Sequence, residues 1–372
     1  MARVLFLRSN PVAPDPRVEK EARALARGGA EVHILGWDRS GGLPPLERWP
    51  QGITVHRLRL KALFGQGLRN LPHLLRFEVA LTLWLFRHFK DYDALHACDL
   101  DTVLPALLAK RFLGKRVVYD IFDFYADMLR NVPGWARSLA RRLELWAIGQ
   151  ADAVILADER RKEQIQGARP KRLFVVYNTP EDVPQIPPPP LPLRIAYVGL
   201  LQKERGLFEM LQVMARHPHW SLDLAGFGGD EAGIQKAASR LSNVRFHGRV
   251  DYRKALELMA SAHVLFATYD PAIPNHRFSS PNKVFEAMAL GRPIIVSSGM
   301  GIDTLVREKD LGWVVPYGDL EALEGALIEA STWTQEAYRN FQQRVHALYR
   351  SRFSWEVMAH RLLEAHGIEK GG

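Results

Sequence analysis

Apolar and polar positions alternate along this chain in two rhythms. Short apolar runs are separated by longer stretches in which apolar residues recur every three or four positions. Arg3-Val4-Leu5-Phe6-Leu7 opens as a strand, and Val18, Ala22, Leu25 and Ala26 then follow at helical spacing. Gly28-Gly29 stops that helix before a second strand, Glu31-Val32-His33-Ile34-Leu35. This is a βαβ unit, with the loop from Arg8 to Pro16 at its first turn. The same rhythm predicts strands at Ile53–His56, Ala94–His96, Val117–Tyr119, Ala153–Leu156 and Leu173–Val176.

Pro184, Pro187, Pro188, Pro189, Pro190 and Pro192 then interrupt the pattern. Proline lacks the N–H that a helix or central strand needs, so this run reads as an extended, semi-rigid linker. Beyond it, strands are predicted at Arg194–Val198, Ser221–Leu224, Val244–Phe246, Val264–Ala267, Ile294–Ser297 and Gly312–Val315. Alternating strands and helices imply parallel sheets with helices on both faces. The division expected is residues 1–183, a linker at 184–193, a second domain at 194–350, and a C-terminal helix and tail at 351–372 with Val357, Leu362 and Leu363 on its apolar side.

The most informative stretch is Ser280-Pro281-Asn282-Lys283-Val284-Phe285-Glu286, which runs through Gly291-Arg292-Pro293 into Ile294-Ile295-Val296. It reads as a cap at Ser280, Pro281 at the first helical position, a helix, a left-handed stop at Gly291 and a buried strand. A helix N-terminus concentrates free N–H groups and suits a phosphate, and Lys283 adds a full charge there. Glu286, one turn on, suits a ribose diol. Many α/β helices share these features without holding a ligand.

The segment resembles the nucleotide-sugar motif of retaining glycosyltransferases of the GT-B fold, family 4, with Glu286 at the position of the family's ribose-binding glutamate. The resemblance implies an α/β chain of two Rossmann-like domains facing a cleft, with the final helix crossing back to the first domain. It also implies a nucleotide-diphosphate sugar as donor, a UDP- or GDP-sugar, and no tightly bound cofactor. By the same analogy the donor site comprises Gly199, Lys203, Arg205, Gly226, Gly228, Arg249, Val250, Ser280, Pro281, Asn282, Lys283, Val284 and Glu286, of which Lys283 and Glu286 are also catalytic candidates. A planar guanidinium at Arg205 can hold two phosphate oxygens together. The family usually has an arginine after the glycine of Tyr197-Val198-Gly199, and this chain has Leu200, so Lys203 is the expected substitute. The family often has a glutamate eight positions before Glu286, and this chain has Phe278; Asn275, His276 and Ser279 are the neighbouring polar groups.

On the first domain, Asn10, Asp15 and Arg17 form the expected acceptor side. Cys98-Asp99 and Phe122-Asp123 stand where related sequences carry His-Asp and His-Glu. The absent histidines remove the usual neutral-pH proton acceptor. Asp99 and Asp123 are the remaining catalytic candidates, and a capping or turn role is their alternative. Gly226-Phe227-Gly228-Gly229 lacks the third glycine of a dinucleotide loop, which disfavours a dehydrogenase. No metal motif is present, so Lys203, Arg205, Lys283 and the helix N-terminus are expected to supply the positive field. The function implied is metal-independent transfer of a sugar with retention to a hydroxyl acceptor, such as a glycan, a lipid-linked sugar or a small molecule. A sugar-nucleotide epimerase or hydrolase, or a non-catalytic binding relative, is the alternative.

Composition adds limits. The chain has 372 residues, 47% hydrophobic, and a formal net charge of +9. The charge favours anionic partners, and no nucleic-acid motif accompanies it. One cysteine, Cys98, rules out an internal disulfide. No run has the length of a membrane span, and Met1-Ala2-Arg3 leads straight into a strand, so the expected place is the cytoplasm, including the inner face of the membrane. Leu68–Phe89, with Arg69, Arg76, Arg87 and nearby Lys90, and Trp135–Trp146, with Arg137, Arg141 and Arg142, read as basic amphipathic stretches that suit an anionic lipid surface. Ordinary packing on a sheet is the simpler explanation for both.

Overall fold

A computed structural model describes residues 1–62, 71–129, 132–181, 183, 186–273, 276 and 281–368. Pro184, Asn275, Phe278, Ser279 and Ser280 lie outside the described residues, as does the start of the Leu68–Phe89 stretch. The chain divides into two compact units. One is Met1–Tyr177 together with the C-terminal stretch from Met358, and the other is Asn178–Val357.

The first unit holds β1 (Arg3–Arg8), β2 (Glu31–Asp38), β3 (Leu46–Arg48), β4 (Thr54–Arg59), β5 (Ala94–Cys98), β6 (Arg116–Ile121), β7 (Ala153–Leu156) and β8 (Leu173–Val175). They form one sheet in the order β3-β4-β2-β1-β5-β6-β7-β8. All pairs are parallel except β3 with β4. The sequence pattern gave no sign of β3, because it is a three-residue edge strand between Pro45 and Pro50 with no buried position. Leu5 and Leu7 of β1 face one layer of helices, Leu71–Arg87, Leu100–Leu113 and Gly134–Gln150. Phe6 faces the other side, where its ring stacks on His96 at 4.2 Å. The helix Pro16–Arg27 starts at Asp15, whose carboxylate accepts from the Val18 N–H. The last helix, Trp355–His366, reaches this unit through His366, whose Nε2 lies 3.0 Å from His96 Nδ1.

The second unit holds β9 (Arg194–Leu200), β10 (Ser221–Phe227), β11 (Val244–Phe246), β12 (Val264–Ala267), β13 (Ile294–Ser297) and β14 (Gly312–Val315). This sheet is wholly parallel, in the order β11-β10-β9-β12-β13-β14. The strand order reverses between β9 and β12, as it does between β1 and β5 in the first unit. In open α/β sheets the crevice beyond the strand carboxyl ends at such a reversal is where ligands bind.

The proline run belongs to the second unit. The Arg292 guanidinium, 1% exposed, donates to the carbonyls of Ile186, Pro187 and Ala260. Gln342 also donates to Ile186, and Gln335 to Pro189. The prolines cannot donate, but every carbonyl can accept, and buried side chains of the unit use them. Burial pushes the Arg292 pKa down to about 10. His263 completes the strap. Its Nδ1 accepts from the Arg194 N–H at 3.0 Å, and its Nε2–H donates to Pro189 at 2.8 Å.

Candidate donor site and acceptor-side cluster

The helix Asn282–Leu290 begins one residue later than the sequence implied. Pro281 stands at the cap, with ψ near 123°, and its carbonyl accepts from the Val284 N–H. An extended residue that still supplies the first helical acceptor is what the cap position requires. Gly291 ends the helix in the left-handed conformation, with φ of 61°.

Lys283 leaves the first turn of this helix and is buried against the end of β9. Its Nζ lies 3.3 Å from the Tyr269 hydroxyl and 4.4 Å from the Tyr197 ring centre. A side chain at Gly199 would meet this ammonium, since a Cβ there falls 2.5 Å from Nζ. Gly226 is equally constrained, because its Cβ would fall 1.7 Å from the Gly199 carbonyl oxygen. These two glycines therefore allow the strand ends and the lysine to approach. Arg205 comes from the short turn Lys203–Arg205 and stacks over Tyr269 at 4.1 Å. Lys283 and Arg205 thus meet at Tyr269, just after β12 and beside Gly199 near the end of β9, at the reversal of strand order, with Gly226 of β10 packed against Gly199. Gly228 follows the end of β10, packed against Leu201.

The electrostatics follow from burial and pairing. Burial pushes the Lys283 pKa down, but Tyr197, Tyr269 and Glu286 together raise it above its usual value. Burial pushes the Tyr269 phenol up, and Lys283 and Arg205 more than offset this. The site is a concentrated positive field with an acidifiable phenol inside it. Glu286 is buried one turn further on, and burial and Glu286 both raise the Tyr252 phenol.

The other expected donor residues are placed differently. Lys203 is exposed, and its backbone N–H donates to Asp230. The cation that reaches Gly199 is Lys283. Asn282 is exposed, and its side-chain oxygen accepts from Asn178 at 3.0 Å. Val284 is wholly buried and its N–H is used inside the helix. Arg249 is exposed and stacks on Phe227, while Val250 is half-buried. Tyr197 and Tyr269 were missed. Each sits near the end of a predicted strand, which is the only signal they carried.

The first unit has its own polar cluster beyond β1 and β5. Arg8 ends β1 and pairs with Asp15 at 2.8 Å and with Asp99. Asp15 accepts from Arg8 and Asn10 on one oxygen and from the Val18 N–H on the other, so both its oxygens are engaged. Asp99 has φ of 68°, unusual without glycine, and accepts from the N–H groups of Phe122 and Asp123. Burial pushes its carboxyl up to about 7; Arg8 opposes the rise and Asp101 adds to it. Asp123 is bound by Arg161 at 2.9 Å. Arg17 points inward, and the anion it meets is this chain's own Asp120, which it grips with two nitrogens while a third donates to Val176. Arg8 and Arg17 both stack over Phe122.

Among the described residues, Glu21, His96 and Asp120 bring potential metal ligands within 4.8 Å of one another. Arg17 lies 3.1 Å from Glu21 and forks onto Asp120. This guanidinium already supplies the positive charge a metal would bring, so the donor set fits an internal ion network better than a divalent ion.

A family model described as "Glycosyl transferase 4-like domain" matches residues 13–179, and one described as "Glycosyl transferases group 1" matches residues 192–332. The chain is a family 4 glycosyltransferase. Glycogen synthase of Mycobacterium tuberculosis is 24% identical over 302 residues, 75% of this chain and 70% of that protein. Sucrose-phosphate synthase from Thermosynechococcus elongatus has the same fold, with TM-score 0.73 at 18% identity over 99% of this chain and 98% of that one. Anabaena HepE, solved in complex with UDP and glucose, gives TM-score 0.68 at 15% identity over 99% of this chain and 100% of that one. The glycosyltransferase thus has the GT-B fold class, with an α/β sheet in each unit. No helix among its described residues is long and apolar enough to cross a membrane.

Proposed function

We propose that this glycosyltransferase moves a sugar from a nucleotide diphosphate to a hydroxyl acceptor, with retention and without a divalent ion. The observation that carries the reading is the buried Lys283 ammonium beside Gly199, with Arg205 stacked on the same tyrosine. Two cations at a strand-order reversal suit two phosphates. The N–H groups of the first turn after Pro281 add further donors. Glu286 accepts from the ribose hydroxyls.

The chemistry follows from that field. The C–O bond between the anomeric carbon and the diphosphate breaks, and the electron pair leaves with the phosphate oxygen. Lys283 and Arg205 stabilise the growing charge. The acceptor hydroxyl attacks from the same face and gives its proton to the departing phosphate oxygen. No protein nucleophile is required. The acceptor-side candidates Asp99 and Asp123 orient the hydroxyl, and a lipid-linked sugar is among the acceptors this permits.

The test is thermal stabilisation by UDP, GDP, ADP and their sugar conjugates, compared between the native chain and Glu286→Ala. At a hundred times its dissociation constant a ligand adds about 2.7 kcal/mol. A shift with one base, reduced in the variant, supports the reading. No shift with any nucleotide refutes it. HepE with bound UDP makes UDP the first base to try.

A further inference from the structure

We propose that the outer surface of three neighbouring helices in the first unit, Leu71–Arg87, Leu100–Leu113 and Gly134–Gln150, is a docking face for a bilayer surface rich in anionic lipid. The inner side of each helix is committed to the core, through Phe77, Leu81 and Leu85, through Val103 and Ala106, and through Ala147 and Ile148. The outer side of such a helix is ordinarily polar. Here it is apolar again. Leu71, Leu75, Val79 and Leu83 repeat every fourth position and are all at least half exposed. Trp135, Leu139 and Trp146 are 72%, 58% and 51% exposed, and with Arg142 they fall on one stripe of their helix.

The three helices are neighbours in the fold. The first helix packs on the second and the second on the third. At the first junction Phe86 and Phe112, both exposed, place their rings 6.4 Å apart. An exposed apolar surface spread across three helices marks an interaction site.

Charge selects the occupant. Arg76, Arg87, Arg111, Arg137 and Arg142 are all exposed on these helices. Their only acidic residues are Glu78, Asp101 and Glu144, and none is exposed. Glu78 is half-buried, and burial together with Asp101 pushes its carboxyl up to about 7. A second copy of this chain would bring arginine against arginine. An anionic bilayer offers both things the face needs, negative headgroups for the arginines and an apolar interior for tryptophan and leucine. Tryptophan, with an apolar body and a polar N–H, suits that boundary.

The experiment is flotation of the full chain with vesicles of phosphatidylcholine alone or mixed with phosphatidylglycerol, at low and raised salt. The expected result is flotation with the mixed vesicles only, weakened by salt. Trp135→Ser/Leu139→Ser/Trp146→Ser and Arg76→Glu/Arg142→Glu are each expected to reduce the vesicle-bound fraction about tenfold. Both sets lie on exposed positions, and an unchanged melting temperature shows that the fold survives. Hydrogen exchange of Leu71–Arg87 and Gly134–Gln150 is expected to slow when vesicles are present. Failure to float, equal flotation with neutral vesicles, or flotation indifferent to both variants overturns the proposal. So does self-association that the same substitutions abolish, which would make a second copy the occupant. Nucleotide binding measured on the same samples separates failure of this face from failure of the donor site.

Discussion

The Nζ of Lys283 lies 3.3 Å from the Tyr269 phenolic oxygen, and Arg205 covers the other reach of the same ring at 4.1 Å. One tyrosine therefore holds two cations that would repel each other without it. Tyr269→Phe keeps the ring and removes the hydroxyl, so it is expected to weaken nucleotide-diphosphate binding modestly. Lys283→Ala is expected to weaken it by about 2 kcal/mol, roughly thirtyfold, the loss of one charge-assisted contact. Isothermal titration with the preferred nucleotide checks both. Equal affinity in Lys283→Ala and the native chain would remove the lysine from the donor site.

Gly199 gives a sharper test, because it touches Lys283 without adding or removing charge. A methyl at this position lies 2.5 Å from Nζ and displaces a flexible side-chain end. Gly199→Ala should therefore lose affinity, and the φ of 158° at this position adds a stability cost of its own. Gly226→Ala places its methyl 1.7 Å from a backbone oxygen and should lower stability by more than about 2 kcal/mol. Urea unfolding alongside nucleotide titration separates the two effects.

His263 predicts a pH dependence. Its two nitrogens are fixed as one acceptor and one donor by Arg194 and Pro189, so only the neutral ring fits. Burial pushes its pKa down to about 4. Between pH 6.5 and 4 the unfolded chain binds more protons than the folded one, so stability falls as pH falls through that window. The contribution is about 3 kcal/mol, present in full above pH 6.5. His263→Gln keeps an acceptor and a donor but cannot titrate. Its unfolding midpoint should change less between pH 7 and 5 than that of the native chain.

The His96–His366 contact ties the last helix to the first sheet through two fully buried rings. His366→Leu removes one ring of the pair and leaves the His96 nitrogen without its partner. A loss of about 1–3 kcal/mol is expected, with faster hydrogen exchange concentrated in Trp355–His366. An unchanged melting temperature would deny the contact a structural role.

Most of the strands were legible because parallel strands buried on both faces are written as short apolar runs, as in Val4–Leu7 and Ile294–Val296. Strand order was not legible, and several features of the site depend on it. Lys283, Arg205 and Gly199 could be singled out from local motifs. That Lys283 rather than Lys203 reaches Gly199 follows from β12 lying beside β9, which no local pattern encodes. The same holds for Arg17. Its position after Pro16 was visible, but its partner Asp120 comes from β6, two strands away across β5. The exposed helix stripes were visible as composition, while which helices are neighbours was not.

The proline run was the plainest boundary in the sequence, yet its carbonyls are held by Arg292, Gln335, Gln342 and His263. A hybrid enzyme joined at Arg194 would carry these four side chains without the acceptors they were fitted to. The portable piece is Asn178–Val357, prolines included. When such halves are exchanged between enzymes, the proline segment has to travel with the half that binds it.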